Sequence, residues 1–157
     1  MTPTWKKYDI EEWEHGVAGC TPRSFPMPTD RFLWNDCGVC TNPHVLGVAT
    51  KSWRIGIFTA RMDCGQWVVG ADVSFPTAGY CRGASLTPLD CFQSEWGAQS
   101  MELRHAATWI QRCMNSKTAS CPIPGSYARE ALRLISQAIE DIEPKRRPVF
   151  TQLSLFD

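Results

Sequence analysis

The sequence predicts an α+β protein: a small antiparallel sheet in the order β-β-β-α, a further C-terminal helix, and an irregular Cys- and Pro-rich N-terminal segment. Three observations carry this. Apolar side chains alternate through 53–59 and again through 67–73, the period of a strand. An apolar stripe at helical spacing runs through residues 127–143 and stops at Pro144. Three prolines crowd positions 22 to 28, which no regular element tolerates.

In order, residues 1–50 show weak periodicity, and "YDIEEWEH" reads as a short helix. "SWRIGIFTAR" places Trp53, Ile55, Ile57 and Thr59 on one face. "MDCG" is a turn signal, and "QWVVGADVSF" returns with Trp67, Val69, Ala71 and Val73 on one face, so the two runs form a hairpin. "PTAGYCRGAS" reads as a glycine-bearing loop and "SLTPLDCF" as a short edge strand, since Pro88 excludes a central one. A helix is expected over 100–114, capped by Ser100, with Leu103, Ala106, Ala107, Ile110 and Met114 inward. A second covers 127–143, capped by Ser126, with Ala128, Ala131, Leu132, Ile135, Ala138, Ile139 and Ile142 inward. The order resembles small antitoxin-like and double-stranded-RNA-binding-like folds, which implies a helix over one face of a short sheet and no particular function. Residues 1–143 are expected to form one globular domain, and 144–157 a flexible tail.

Composition limits the function. Lys plus Arg and Asp plus Glu number 16 each among 157 residues, so no global field draws the chain onto nucleic acid, and any DNA contact needs a local patch. No apolar run approaches 18 residues, and the polar start "MTPTWKKYDIEEWEHG" lacks a signal-peptide pattern. A cytoplasmic protein with reduced thiols is expected, without membrane contact. The eight cysteines then read as buried thiols plus one metal site. Cys37-x2-Cys40 presents two thiolates, and His15 with Cys20 completes a tetrahedral set for structural zinc, with His44 as substitute ligand. Such a site would order the proline-rich stretch 16–36.

No phosphate-binding glycine motif, no zinc-protease or deaminase motif and no defensible nucleophile–base pair occurs, so an enzyme is not the leading expectation. Asp63, Asp72 and Asp90 are the carboxylates a metal-dependent nuclease would use. Arg54, Arg61 and Arg82 with Trp53, Trp67 and Tyr80 offer a basic-aromatic face, although strand alternation puts Trp53 and Trp67 inward.

The chain ends "KRRPVFTQLSLFD". Three fates are open to an apolar end of this kind: an edge strand on its own sheet, an inert end, or a peptide that another protein buries. Gln152, Leu153, Ser154, Leu155 and Phe156 resemble the Gln-Leu-Ser/Asp-Leu-Phe pentapeptide by which bacterial proteins bind the replicative sliding clamp. The resemblance implies an extended peptide in a groove of the clamp, with Leu155 and Phe156 in the deep pocket, Leu153 in a shallower one and Gln152 bonded at the rim. Ser154 would face outward. The basic triplet Lys145, Arg146 and Arg147 would contact DNA threading the clamp or remain a solvated linker. A bacterial, phage or mobile-element protein acting at replicating or repairing DNA is therefore expected, as an accessory or as an inhibitor of other clamp clients. The alternative is a zinc-stabilised nucleic-acid- or protein-binding regulatory module with an incidental tail.

Overall fold

A computed structural model describes residues 3–16, 31–86, 91–115 and 123–144. Five strands form one antiparallel sheet in sequential order: β1 (Lys6–Tyr8), β2 (His44–Ala49), β3 (Arg54–Arg61), β4 (Trp67–Ser74) and β5 (Gly79–Arg82). Helices α1 (Glu95–Asn115) and α2 (Gly125–Ile142) follow. A π-helical turn, Glu12–Gly16, lies between β1 and β2. The α+β class is as expected.

Short connections enforce the antiparallel order. Between β2 and β3 the Thr50 hydroxyl accepts from the Ser52 and Trp53 amides, at 3.1 and 3.0 Å. Between β3 and β4 the Gly65 amide donates to the Met62 carbonyl at 2.9 Å, and Gly65 has φ of +89°. That conformation suits a residue without a Cβ. The predicted hairpin is therefore present, with Ile55 opposite Val73, Ile57 opposite Ala71 and Thr59 opposite Val69.

One face of the sheet carries Val48, Trp53, Ile55, Ile57, Val69, Ala71 and Val73. Leu103, Ala106 and Ile110 of α1 and Ala128, Ala131, Leu134, Ile135 and Ala138 of α2 pack into the same core. Trp53 stacks on Phe75 with centroids 5.8 Å apart. The alanines keep the helices close to each other and to the strands.

The opposite face is covered by the N-terminal segments. Trp13 is fully buried there with Ile10, Val45 and Phe58. Its ring lies over Gly47 and Gly56, which face each other across β2 and β3. A Cβ at Gly47 would come within 2.3 Å of the ring, and one at Gly56 within 2.5 Å. Beside this plug, Cys40, Ala60, Val68 and Ala84 form a smaller cluster under Phe32, Trp34 and Met62. Buried Asn42 ties this layer together: its Oδ1 accepts from the Leu33 amide at 2.6 Å, and its Nδ2 donates to the Arg31 carbonyl at 2.8 Å.

Five expectations are corrected. Residues 1–50 are not wholly irregular, because they supply β1 and β2. Strand β5 lies within the stretch expected to be a loop, and residues 83–86 and 91–92 make only isolated bridges where an edge strand was expected. Helix α1 begins five residues early: Ser94 caps it, its Oγ accepting from the Gly97 amide at 3.1 Å. Ser100 lies inside the helix and donates to Glu143 Oε1 at 2.5 Å. Helix α2 begins at Gly125, after Pro124, with no side-chain cap.

The glycine pair yields a prediction. Gly56→Ala should destabilise the fold by roughly 1–3 kcal/mol through the clash with the Trp13 ring, read as a lower midpoint in urea unfolding. An unchanged midpoint would place the ring elsewhere.

Candidate functional site

The sequence-predicted site residues fall in three places. Gln152–Phe156 and Lys145–Arg147 lie outside the described residues, as do Cys20, Asp90 and the His15 side chain. Cys37 is exposed in the turn before Cys40, and Cys40 is buried. Asn35 orders that turn: its Oδ1 accepts from the Cys37 and Val39 amides at 2.9 and 3.0 Å, and Gly38 takes the left-handed conformation with φ of +77°. The Cys40 thiol donates to Asn42 Oδ1 at 3.4 Å, and burial pushes its pKa up, which favours the protonated form. His44 opens β2 and is turned toward α1. Among the described residues no three His, Cys, Asp or Glu side chains are grouped to hold a metal ion.

Of the three carboxylates, Asp63 is exposed in the β3–β4 turn and Asp72 is buried under Trp13. Asp72 Oδ2 accepts from Trp13 Nε1 at 3.0 Å and pairs with Arg54 at 2.8 Å, while Oδ1 accepts from Ser74 at 3.2 Å. A buried charge paired and bonded on both oxygens is structural chemistry. Exposure on the opposite sheet face, the simplest reason for an acid in a strand, does not apply to Asp72.

The same accounting dismantles most of the basic-aromatic face. Arg54 is spent on Asp72 and spans the Trp13 ring at 5.3 Å. Arg82 pairs with Glu102, a carboxylate buried on α1. Trp53 is core. Tyr80 packs edge-on against Trp109 at 5.1 Å. Burial, with the Glu102 charge beside it and Arg82 only partly opposing, drives the Tyr80 phenol far above its usual pKa. His105 Nδ1 lies 3.5 Å from Glu102 Oε1.

What remains sits at one end of the sheet, where β2 begins, β3 ends and β4 begins. Phe32 packs on His44 at 4.9 Å and on Trp67 at 5.8 Å, and His44 lies 5.9 Å from Trp67. Behind this triad Glu95 Oε1 meets both His44 Nδ1 and the Thr59 hydroxyl, each at 2.8 Å. Burial alone would raise the Glu95 pKa. The His44 and Thr59 bonds, with the His44 and Lys7 charges, outweigh it and hold the group below its ordinary value. A cavity of about 340 Å³ beside this pair is lined by Lys7, Tyr8, Asp9, Pro43, His44 and Gln99, among others. On the other side of the triad lies a cleft of about 470 Å³ between Arg31–Trp34 and the β3–β4 turn. Sequence reading missed this assembly because Glu95 was placed before the helix and Phe32 in irregular chain. The one available signal was the Trp67 and Arg61 pair.

Comparison of the chain with protein-family models, curated proteins and solved structures finds no match. No helix among the described residues is long and apolar enough to cross a membrane.

The Glu95 geometry sets a pH dependence. Because the folded-state pKa is depressed, its stabilisation is fully present above the ordinary value near 4.5 and is lost as pH falls through the lower folded value. Glu95→Gln should therefore unfold more easily than wild type at pH 7, with the gap closing as the pH falls from the ordinary value near 4.5 through the lower folded one, in thermal melts across that range.

Proposed function

We propose that this protein docks on a bacterial sliding clamp through Gln152–Phe156. The observation that carries the reading is that five consecutive residues, Gln-Leu-Ser-Leu-Phe, fit the clamp-binding pentapeptide at every position. The described chain supports it at the point of departure. Helix α2 ends at Ile142, and Glu143 Oε1 is held by Ser100 and by Arg104, at 2.5 and 2.6 Å. Pro144 follows, exposed. The segment leading to the motif thus leaves from a fixed point on the domain. Seven residues separate Pro144 from Gln152. They span at most about 25 Å when extended.

Burying the Leu155 and Phe156 side chains is worth roughly 3–6 kcal/mol. Association and ordering of the peptide take back part of that. A dissociation constant on the order of micromolar follows, suited to a tether that exchanges with other clients. The role is that of an accessory brought to replicating or repairing DNA, or of a competitor that keeps other clients off the groove. The basic triplet Lys145–Arg147 lies within the leading segment, where DNA inside the clamp is a fitting target.

The test is titration of the full-length protein with purified bacterial clamp, followed by calorimetry. Wild type should bind near micromolar, and Leu155→Ala/Phe156→Ala should weaken binding by more than about a hundredfold. Binding of the double variant with unchanged affinity, or no binding by wild type, would overturn the proposal.

A further inference from the structure

We infer that the cleft between Arg31–Trp34 and the β3–β4 turn binds single-stranded DNA. Arg31, Phe32, Trp34, Arg61, Met62 and Asp63 line it, in a volume of about 470 Å³. That is the size range of ligand-binding clefts. Phe32 and Trp34 are half-buried, so each ring leaves surface open to a ligand. Phe32 is backed by His44 and Trp67, which hold it from behind. Asn42 fixes the backbone on either side of Phe32 through the Leu33 amide and the Arg31 carbonyl. The platform is therefore built before a ligand arrives.

Charge selects the ligand. Arg31 and Arg61 are exposed, and neither makes an ion pair among the described residues. Arg54, Arg82 and Arg104, by contrast, are each paired with a carboxylate. The Arg61 guanidinium lies 5.9 Å from the Trp67 ring centroid, so it is held over an aromatic face and kept at the cleft. Two guanidiniums unpaired among the described residues, beside stacking rings, match a strand whose every unit carries a π-face and a phosphate. Asp63 is the opposing charge in the lining. It would repel phosphate and accept from the amino groups of adenine, cytosine or guanine, which orients bases toward the turn and phosphates toward the arginines. A duplex keeps its bases stacked and offers these rings no face. The stacking and charge argument stands without the tail, and only the choice of DNA over RNA rests on the clamp reading.

The experiment is fluorescence anisotropy of the full-length protein with a labelled mixed-sequence 15-nucleotide DNA strand, the same sequence as RNA, and the duplex, at several salt concentrations and without clamp. The DNA strand should bind more tightly than the other two. Arg31→Ala/Arg61→Ala should weaken binding and reduce the slope of log K against log salt by about 1.4, the share of two phosphate contacts. Trp34→Ala should weaken binding between about 5-fold and 150-fold and leave the slope unchanged. Leu155→Ala/Phe156→Ala should bind DNA as wild type does, which separates a failure of this inference from a failure of the clamp reading. Both arginines are exposed, so the charge variant keeps its fold, checked by its melting curve. Absence of binding, an unchanged salt slope in the arginine variant, or equal or tighter binding of RNA or duplex would each overturn the inference.

Discussion

The fold depends on how one tryptophan is seated. Trp13 lies on a row that crosses the sheet: Gly47 on β2, Gly56 on β3 and Asp72 on β4 are successive register partners. The two glycines open a slot for the ring, and Asp72 receives its N–H at the far end. Arg54 then closes the site, neutralising Asp72 and covering the ring. Each part needs the others. Without the ring, the glycines leave a groove on a buried face. Without Asp72, a buried indole N–H loses its acceptor and Arg54 its counter-charge, a change costing about 3–5 kcal/mol. A sheet whose first face is filled by two helices needs cover on its second, and this plug begins that cover. The Arg31–Trp34 layer extends it toward β4 and β5 through Cys40, Ala60, Val68 and Ala84.

Pairing of acids with arginines has a consequence for function. Acids on the sheet, on α1 and just after α2 consume three of the arginines that would otherwise advertise a nucleic-acid surface. Asp72 takes Arg54, Glu102 takes Arg82, and Glu143 takes Arg104. What is left at the surface is set by subtraction. Arg31 and Arg61 stand beside the rings at one end of the sheet, where no described carboxylate pairs with them. A neutral chain can thus carry a local patch suited to an anion, as its even charge balance requires of any DNA contact.

This also explains what the sequence could and could not disclose. The β3–β4 hairpin was legible because Ile55, Ile57, Val69, Ala71 and Val73, the residues turned to the helices, recur at every second position on either side of a turn signal. The inward stripe of α2 was legible for the same reason, apart from Leu134. Strand β5 was hidden because it is an edge: Gly79, Cys81 and Arg82 are exposed and show no apolar alternation. Strand β1 is three residues long, and Gly47 interrupts the apolar run of β2 for the sake of Trp13. The first turn of α1 was hidden by Gly97, a poor helix former placed directly behind the Ser94 cap. Glu102 looked like an ordinary exposed acid because its partner, Arg82, lies 20 residues away in sequence. Ion pairs of that kind are tertiary facts. Of the residues expected on the basic-aromatic face, Arg61 and Trp67 lie together at the cleft end of the sheet, Arg54 and Arg82 are paired with acids and Trp53 is core, while Arg31, Phe32 and Trp34 could be placed beside them only once the chain was folded.

A chain of contacts connects the cleft to the end of α2. Glu143 is fixed to Ser100 on α1. Ser100 stands five residues from Glu95. That is about 7.5 Å along the helix. Glu95 holds His44, and His44 packs on Phe32 at the cleft. If the proposed docking and strand binding both hold, a clamp at Gln152–Phe156 and a strand at Phe32 and Trp34 would be engaged by the same chain. Carrying two weak contacts on one chain would make the second effectively intramolecular, so a micromolar peptide and a modest cleft together would reach an affinity that neither has alone. Such an arrangement would bind firmly only where a clamp and unpaired DNA occur together, and would release when either is lost.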